Sequence, residues 1–194
     1  MHKLRDKKGV DPMRSLRFLP FVIVGLLVSS PAAFALVNYL AYVKGVKQGD
    51  IRGSITQKGR EGGIQVLSME HEIVSPRDPA SGLPTGKRQH KQFALVVELD
   101  QSAPKLFQAM VSNETLTEVT LKGWTPSPTG TELQHFTVKL TDASIASIQL
   151  NAVTTVSGDP EKETIRLSLT YRKIEWTWTN GGITASDDWG SSNN

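Results

Sequence analysis

From residue 36 onward the dominant spacing of apolar side chains is two. Ile165, Leu167, Leu169 and Tyr171 alternate with Arg166, Ser168 and Thr170, which puts one face of an extended chain on a core and the other in water. The phase then switches. Ile174, Trp176 and Trp178 take the opposite parity after Arg172 and Lys173, and this predicts a bulge or a sheet corner at that pair. Further strands are predicted over residues 37–43, leading into Gly45, and over 64–74, 93–99, 116–124, 133–141 and 143–153, each bounded by Gly, Pro, Asn or Asp. Repeated short strands of this kind predict a sandwich or a barrel.

Helical spacing interrupts the strands once. Ser102 is placed to cap, Pro104 suits a first turn, and Leu106, Phe107, Met110 and Val111 fall within one face before Asn113 stops the helix. A lone amphipathic helix among strands reads as a plug for the open side of a barrel.

Charge changes the picture at the N-terminus. The chain has 194 residues, with 22 Lys plus Arg against 19 Asp plus Glu, for a formal charge of +3. Residues 1–35 hold six of the basic groups (Lys3, Arg5, Lys7, Lys8, Arg14, Arg17) and two acidic ones (Asp6, Asp11), so the other 159 residues carry 16 basic and 17 acidic groups, a net −1. A body without basic excess speaks against a nucleic-acid partner. The leader itself runs from a basic start through an apolar stretch, Phe18 to Val28, to small residues ending in Ala33, Phe34 and Ala35. That is the order of a secretory signal cleaved before Leu36. Two other readings stay open: a membrane anchor, because no charge falls between Phe18 and Val43, and an artefact of an upstream start codon. The expected organisation is a leader at 1–35, a β domain at 36–189 and a flexible tail at 190–194.

The segment 75–91 reads S-P-R-D-P-A-S-G-L-P-T-G-K-R-Q-H-K. Its three prolines and two glycines oppose regular structure, and its seventeen residues exceed the usual connection inside a domain. Stiffened by proline and carrying Arg77, Asp78, Lys87, Arg88 and Lys91, it is expected to be a docking arm; the bland alternative is a solvated hairpin tip.

Signals for catalysis or cofactor binding are weak. Zero cysteines exclude disulfides, iron–sulfur clusters, thiolate zinc sites and a cysteine nucleophile. His2, His71, His90 and His135 lie far apart without a metal-binding spacing. Ser102-Ala-Pro-Lys105 matches S-x-x-K, but no K-T-G accompanies it and Ser186-Asp187-Asp188 is not S-D-N. Gly59-Arg-Glu-Gly62-Gly63 lacks the ending of a phosphate loop and is better explained as a turn before Ile64. Asp187 and Asp188 read as neighbours in a polar tail with no pocket to separate their pKa values. Asn113-Glu-Thr115 is a formal glycosylation sequon of little weight. The expectation is a non-enzyme with no cofactor and no metal.

Several ordered motifs nevertheless point one way. The segment 75–91, the D-x-S-A-P-x-L helix start at Asp100 to Leu106, the strand from Leu116 to Trp124, and Tyr171-Arg-Lys-Ile-Glu-Trp176 followed by Ser186-Asp-Asp-Trp189 together resemble Hcp. This is the hemolysin-coregulated protein family of the type VI secretion system, and the resemblance runs from Val37 to Trp189. It implies a mostly β fold, a two-sheet β-barrel with one short α-helix, here preceded by a hydrophobic leader. It implies a structural role: hexameric rings of the chain with itself, stacked into an inner tube. That tube is expelled by a contractile sheath behind a VgrG tip protein, with small secreted effectors in the lumen. The resemblance also places subunit and ring contacts on the extended loop, at Arg77, Asp78, Pro79, Ser81, Gly82, Pro84, Thr85, Gly86, Arg88, His90 and Lys91. Secretion from the cytoplasm through the type VI machinery is the expected route. The leader is the departure from the family pattern, and if it acts, the alternative is a periplasmic or inner-membrane binding module that builds no tube. The membrane enters only through that leader.

Overall fold

Alternation dictates the barrel. In the computed structural model, which describes residues 37–127, 130–152 and 163–189, Ile165, Leu167 and Leu169 are buried while Arg166 and Thr170 face water. Phe93, Leu95 and Val97 are buried in the same alternating way. The leader, the tail at 190–194 and position 153 lie outside the described residues.

The elements in chain order are β1 (Asn38–Gly45), β2 (Gly49–Ile51), β3 (Ile64–Glu70), β4 (Ile73–Val74), β5 (Gln89–His90), β6 (Phe93–Glu98), α1 (Ala103–Val111), β7 (Leu116–Pro126), β8 (Glu132–Asn151), β9 (Thr164–Thr170), β10 (Lys173–Trp178) and β11 (Ile183–Asp188). Antiparallel pairing runs β8, β7, β1, β3, β6, β9 and back to β8, so six strands close on themselves. Closure removes the open edges that a flat sheet would present. Leu121, Leu140, Ala143 and Ile165 are fully shut off from solvent inside it.

Two expected strands, 133–141 and 143–153, are in fact one: β8 passes through Asp142, whose φ of 50° bends the strand without ending it. The Asp142 carboxylate accepts a hydrogen bond from Arg172 Nε at 2.9 Å, which anchors that unusual backbone. The first half of β8 pairs with β10 and the second with β9. Strands β10 and β11 therefore extend the sheet away from the barrel as a two-stranded flap. The corner expected at Arg172 and Lys173 is present, and Ile174 is fully buried. Trp178, expected on the same core face, is 47% exposed, because by that point β10 has left the barrel wall.

Other differences are local. The strand expected over 64–74 breaks at His71 and Glu72 into β3 and β4. The turn expected before Ile64 is formed, with Arg60 N–H donating to Gln57 C=O and Gly63 N–H to Arg60 C=O. Helix α1 sets Leu106 among Ala41, Leu95, Leu116 and Leu167 in the barrel interior, as a plug would. Its buried positions are Ala103, Leu106 and Ala109, whereas Val111 is exposed. Asn113 ends it in the left-handed region, with φ of 47°. Ser102 does not cap: its side chain donates to Asp100 Oδ1 at 2.5 Å, and the same oxygen accepts Ser102 N–H at 2.8 Å. Asp100, two residues earlier in the chain, supplies the helix entry and also accepts Ser54 N–H at 2.8 Å.

Gly45 is required by a close approach. A β-carbon there would lie 2.3 Å from Glu114 Oε1, and that nearly buried carboxylate accepts N–H bonds from Lys47 at 2.7 Å and Gln48 at 2.8 Å. These bonds, that from Gln48 foremost, hold its carboxyl below the usual glutamate range. They tie the β1–β2 turn to the end of α1.

Candidate functional site

The segment 75–91 leaves the barrel between β4 and β5, two-residue strands that pair Ile73 with His90 and Val74 with Gln89. Farther out, Arg77 and Pro84 form an isolated bridge, and Thr85 N–H donates to Pro76 C=O. The prolines occupy places where no N–H donor is needed, so the two sides are held with few hydrogen bonds.

The tip is ordered by one aspartate. Asp78 Oδ1 accepts from Ala80 N–H, Ser81 N–H and Ser81 Oγ–H at 3.1, 2.7 and 2.8 Å. Such a turn satisfies the backbone locally, and the N–H of Ser81 above all holds the Asp78 carboxyl below its ordinary range. Gly82 takes a φ of 70°, and its carbonyl accepts from Arg77 at 3.3 Å. Pro79, Ser81, Gly82, Pro84, Thr85 and Gly86 are all exposed, as is Leu83 at 65%. The tip therefore has a fixed shape and leaves its side chains to solvent.

The root is built differently. Arg88 and His90, which the resemblance places among the contact residues, turn back onto the chain's own β11. Arg88 makes a two-pronged ion pair with Asp187. The His90 side chain is 2% exposed and lies between Asp187 Oδ2, 2.7 Å from Nε2, and the Tyr171 hydroxyl, 2.9 Å from Nδ1. That hydroxyl also meets His71 Nε2 at 2.6 Å. Lys91 donates its backbone N–H to Glu72 C=O at 2.9 Å and leaves its side chain exposed.

Charge and burial shift the acids and bases here. The Arg88 guanidinium, helped by His90, draws the Asp187 carboxyl down to about 2. Burial, then the facing Asp187 charge, pushes the Tyr171 phenol up to about 12. Burial and the neighbouring His90 lower His71 below its ordinary value. Asp187 and Asp188 are thus not a bare pair in a polar tail. Asp187 fastens the arm, and Asp188 is ion-paired with Arg172. His71 and His90, distant in sequence, have ring centroids 5.9 Å apart.

Sequence reasoning missed Asp187, Tyr171 and His71 as partners of the arm. The missing link was β11, whose Ile-Thr-Ala-Ser-Asp-Asp run shows no apolar alternation because neither face packs on a core. The Ser102 and Lys105 pair is not assembled: the Ser102 hydroxyl is taken by Asp100, and Lys105 Nζ reaches the Asp50 carbonyl at 3.5 Å.

A second exposed feature lies at the flap, where Leu133, Trp178 and Ile183 are 55%, 47% and 69% exposed. Among the described residues, strand β11 pairs with β10 alone, along one edge.

Comparison with known proteins matches this architecture. The family model described as "Type VI secretion system effector, Hcp" covers residues 42–178. The "Major exported protein" of Pseudomonas aeruginosa is 34% identical over 160 residues, spanning 77% of this chain and 93% of the relative. The Hcp1 protein of the E. coli EAEC 042 pathovar superposes with a TM-score of 0.70 at 30% identity, covering 79% of this chain and 99% of that one. The secreted protein Hcp3 of Pseudomonas aeruginosa superposes at 0.65 with 28% identity, covering 80% and 100%. With the family model matched from residue 42 to 178 and a relative 34% identical over 160 residues, the chain, a closed six-stranded barrel with a plugging helix and an extended arm, belongs to the Hcp family, whose members form the tube structures of type VI secretion.

Proposed function

We infer that this chain is a structural subunit of a type VI secretion tube, secreted with the machine it helps to build. Closure into hexameric rings and stacking of those rings is the activity, with no chemistry at a pocket. The observation that carries the reading is the combination of the family match with an arm whose tip is shaped by its own hydrogen bonds yet unburied in the single chain. A rigid projection that meets a different patch on the next copy is a heterologous contact, and such contacts close into a ring when the rotation allows. Tip residues Arg77, Pro79, Ser81, Gly82, Pro84, Thr85 and Gly86 are exposed and available for that contact, and Asp78 shapes the turn that presents them. Arg88, His90 and Lys91 set its root. The edge of β11 away from β10 and the apolar side chains beside it are a second surface that assembly would cover.

The finer partners follow from the same reading: a VgrG tip at the end of the stack, a contractile sheath around it and small effectors inside. Residues 1–35 are a separate element whose fate decides the address. A native N-terminus at Leu36 marks export with cleavage, one at Met1 marks retention as an anchor, and one farther downstream marks a later start.

The test is the mass of the assembled protein. Sedimentation at the mass of a hexamer, with rings visible by electron microscopy, is the expected outcome. A monomer persisting at high concentration overturns it.

A further inference from the structure

The root of the arm contains a hydrogen-bond chain that ring formation alone does not call for. Arg88 and His90 from the arm converge on Asp187 of β11, and Tyr171, between β9 and β10, bridges His90 to His71 at the end of β3. The His71 ring stacks on Phe93 of β6 at 5.2 Å and lies 6.1 Å from Trp176 of β10. His90 packs against Trp189 at 5.3 Å.

Each bond in the chain has a donor and an acceptor only in certain protonation states. Asp187 is ionised and can only accept, so His90 Nε2 carries a hydrogen. With His90 neutral, its Nδ1 accepts from the Tyr171 hydroxyl, whose oxygen accepts from His71 Nε2–H. All bonds are made. With one proton added at His90, Nδ1–H donates to the Tyr171 oxygen, and the hydroxyl turns its hydrogen toward His71 Nε2. Provided that His71 is neutral with its hydrogen on Nδ1, all bonds are again made. A second proton, on His71, removes that acceptor. The Tyr171 oxygen then faces two N–H donors, its own hydrogen has no acceptor within the chain, and two cationic rings stand 5.9 Å apart.

The charges around the pair sharpen this step. Asp187 is the carboxylate in direct contact, and its two oxygens are engaged by Arg88 and His90. Glu70 and Glu72 flank His71 along the chain, Lys91 adjoins His90, and Arg172 beside Tyr171 is occupied by Asp142 and Asp188. Strands β6 and β10 present Phe93 and Trp176 to the His71 ring.

We propose that His71, Tyr171, His90 and Asp187 form a latch that holds the arm's root with no proton or one proton on the histidine pair and releases it with two. Acidification then frees the arm. The consequence for assembly rests on the reading that the arm docks on a neighbouring copy; the latch itself does not. His71 is the proton-sensing member, since the burial and the His90 charge that oppose its protonation keep the latch shut near neutrality.

The test follows amide hydrogen exchange of residues 89–91 in the full chain from about pH 7.5 to about pH 5, corrected for intrinsic rates and referenced to β7. The Lys91 amide, bonded to Glu72 C=O, is expected to lose about tenfold or more of its protection at the acidic end while β7 keeps its own. His71→Gln offers Tyr171 both a donor and an acceptor but takes up no proton, so its protection is expected to stay flat across the range. A histidine-ring NMR titration of the unaltered chain supplies a second measurement: the His71 midpoint is expected below the ordinary histidine value and coincident with the loss of protection. Equal protection at both ends in the unaltered chain overturns the latch. So does an acidic loss that persists in His71→Gln, or a His71 midpoint away from that loss. Ring mass on the same samples separates the two readings. Rings with no protection step sink the latch alone, and a protection step without rings at any pH sinks the docking alone.

Discussion

The barrel interior is assembled around Leu95, Leu121, Leu140 and Ile165, each at most 1% exposed, whereas in the arm between Ser75 and Lys91 only His90 is buried. The first region is held by many weak, non-directional contacts, so each substitution is felt as lost volume. The second is held by a handful of directional bonds on Asp78, Asp187 and Tyr171, so it is sensitive to which atom carries a proton. On the proposed reading, such a fold separates the part that must survive from the part that meets a neighbouring copy. Changes at the arm are therefore expected to alter assembly while leaving the barrel intact, and changes in the barrel to do the reverse.

The sharpest way to break that contrast is to remove residues 75–91 and join the flanks with a short glycine turn. Complete loss of rings is expected by electron microscopy, with the circular dichroism of a β-barrel retained. Rings that survive the deletion would overturn the role of the arm. Next in size is Leu140→Ala, expected to cost about 2–5 kcal/mol in chemical denaturation, as large-to-small changes in tight cores do, with the arm's exchange protection unchanged. Tyr171→Phe is expected to cost about 1–3 kcal/mol, because it strands the buried His90 Nδ1 without a donor; loosening of the arm's root by hydrogen exchange is its distinguishing mark.

Acid gives a subtler probe. The Asp187 carboxyl is drawn down to about 2 in the folded chain, so its contribution is full above the ordinary aspartate range and is lost as pH falls through that range toward about 2. Denaturation midpoints for the unaltered chain and Asp187→Asn are expected to differ at neutral pH and to converge in strong acid. The His71 contribution is full above its ordinary value of 6.5 and is lost as pH falls through that value, because the folded state disfavours its proton. The smallest effect expected is that of Val111→Ser, which changes an exposed helix position and should shift stability by no more than about 0.5 kcal/mol.

The barrel strands were readable because burial on one face writes itself as a period of two, and this holds for β6 and β9 almost residue by residue. Residues 133–151 were readable as extended but not as continuous: Asp142 carries the composition of a turn, and only its bond to Arg172 shows that the chain bends and goes on. Ser102 has the chemistry of a cap, yet Asp100 reached the helix entry first. The arm stood out through its prolines and its length. Its fastening did not, because Tyr171 lies 81 residues beyond His90 and Asp187 lies 97, and a pairing between polar side chains so far apart leaves no periodic trace. β11, exposed on most of its positions, carried no pattern that could have announced it.

Strand β8 has a mechanical consequence. Its twenty residues run unbroken from the flap into the barrel wall, so a push delivered to β11 passes through the β10 ladder into covalent backbone that also closes the barrel. Force along that direction shears many hydrogen bonds at once instead of peeling them apart singly.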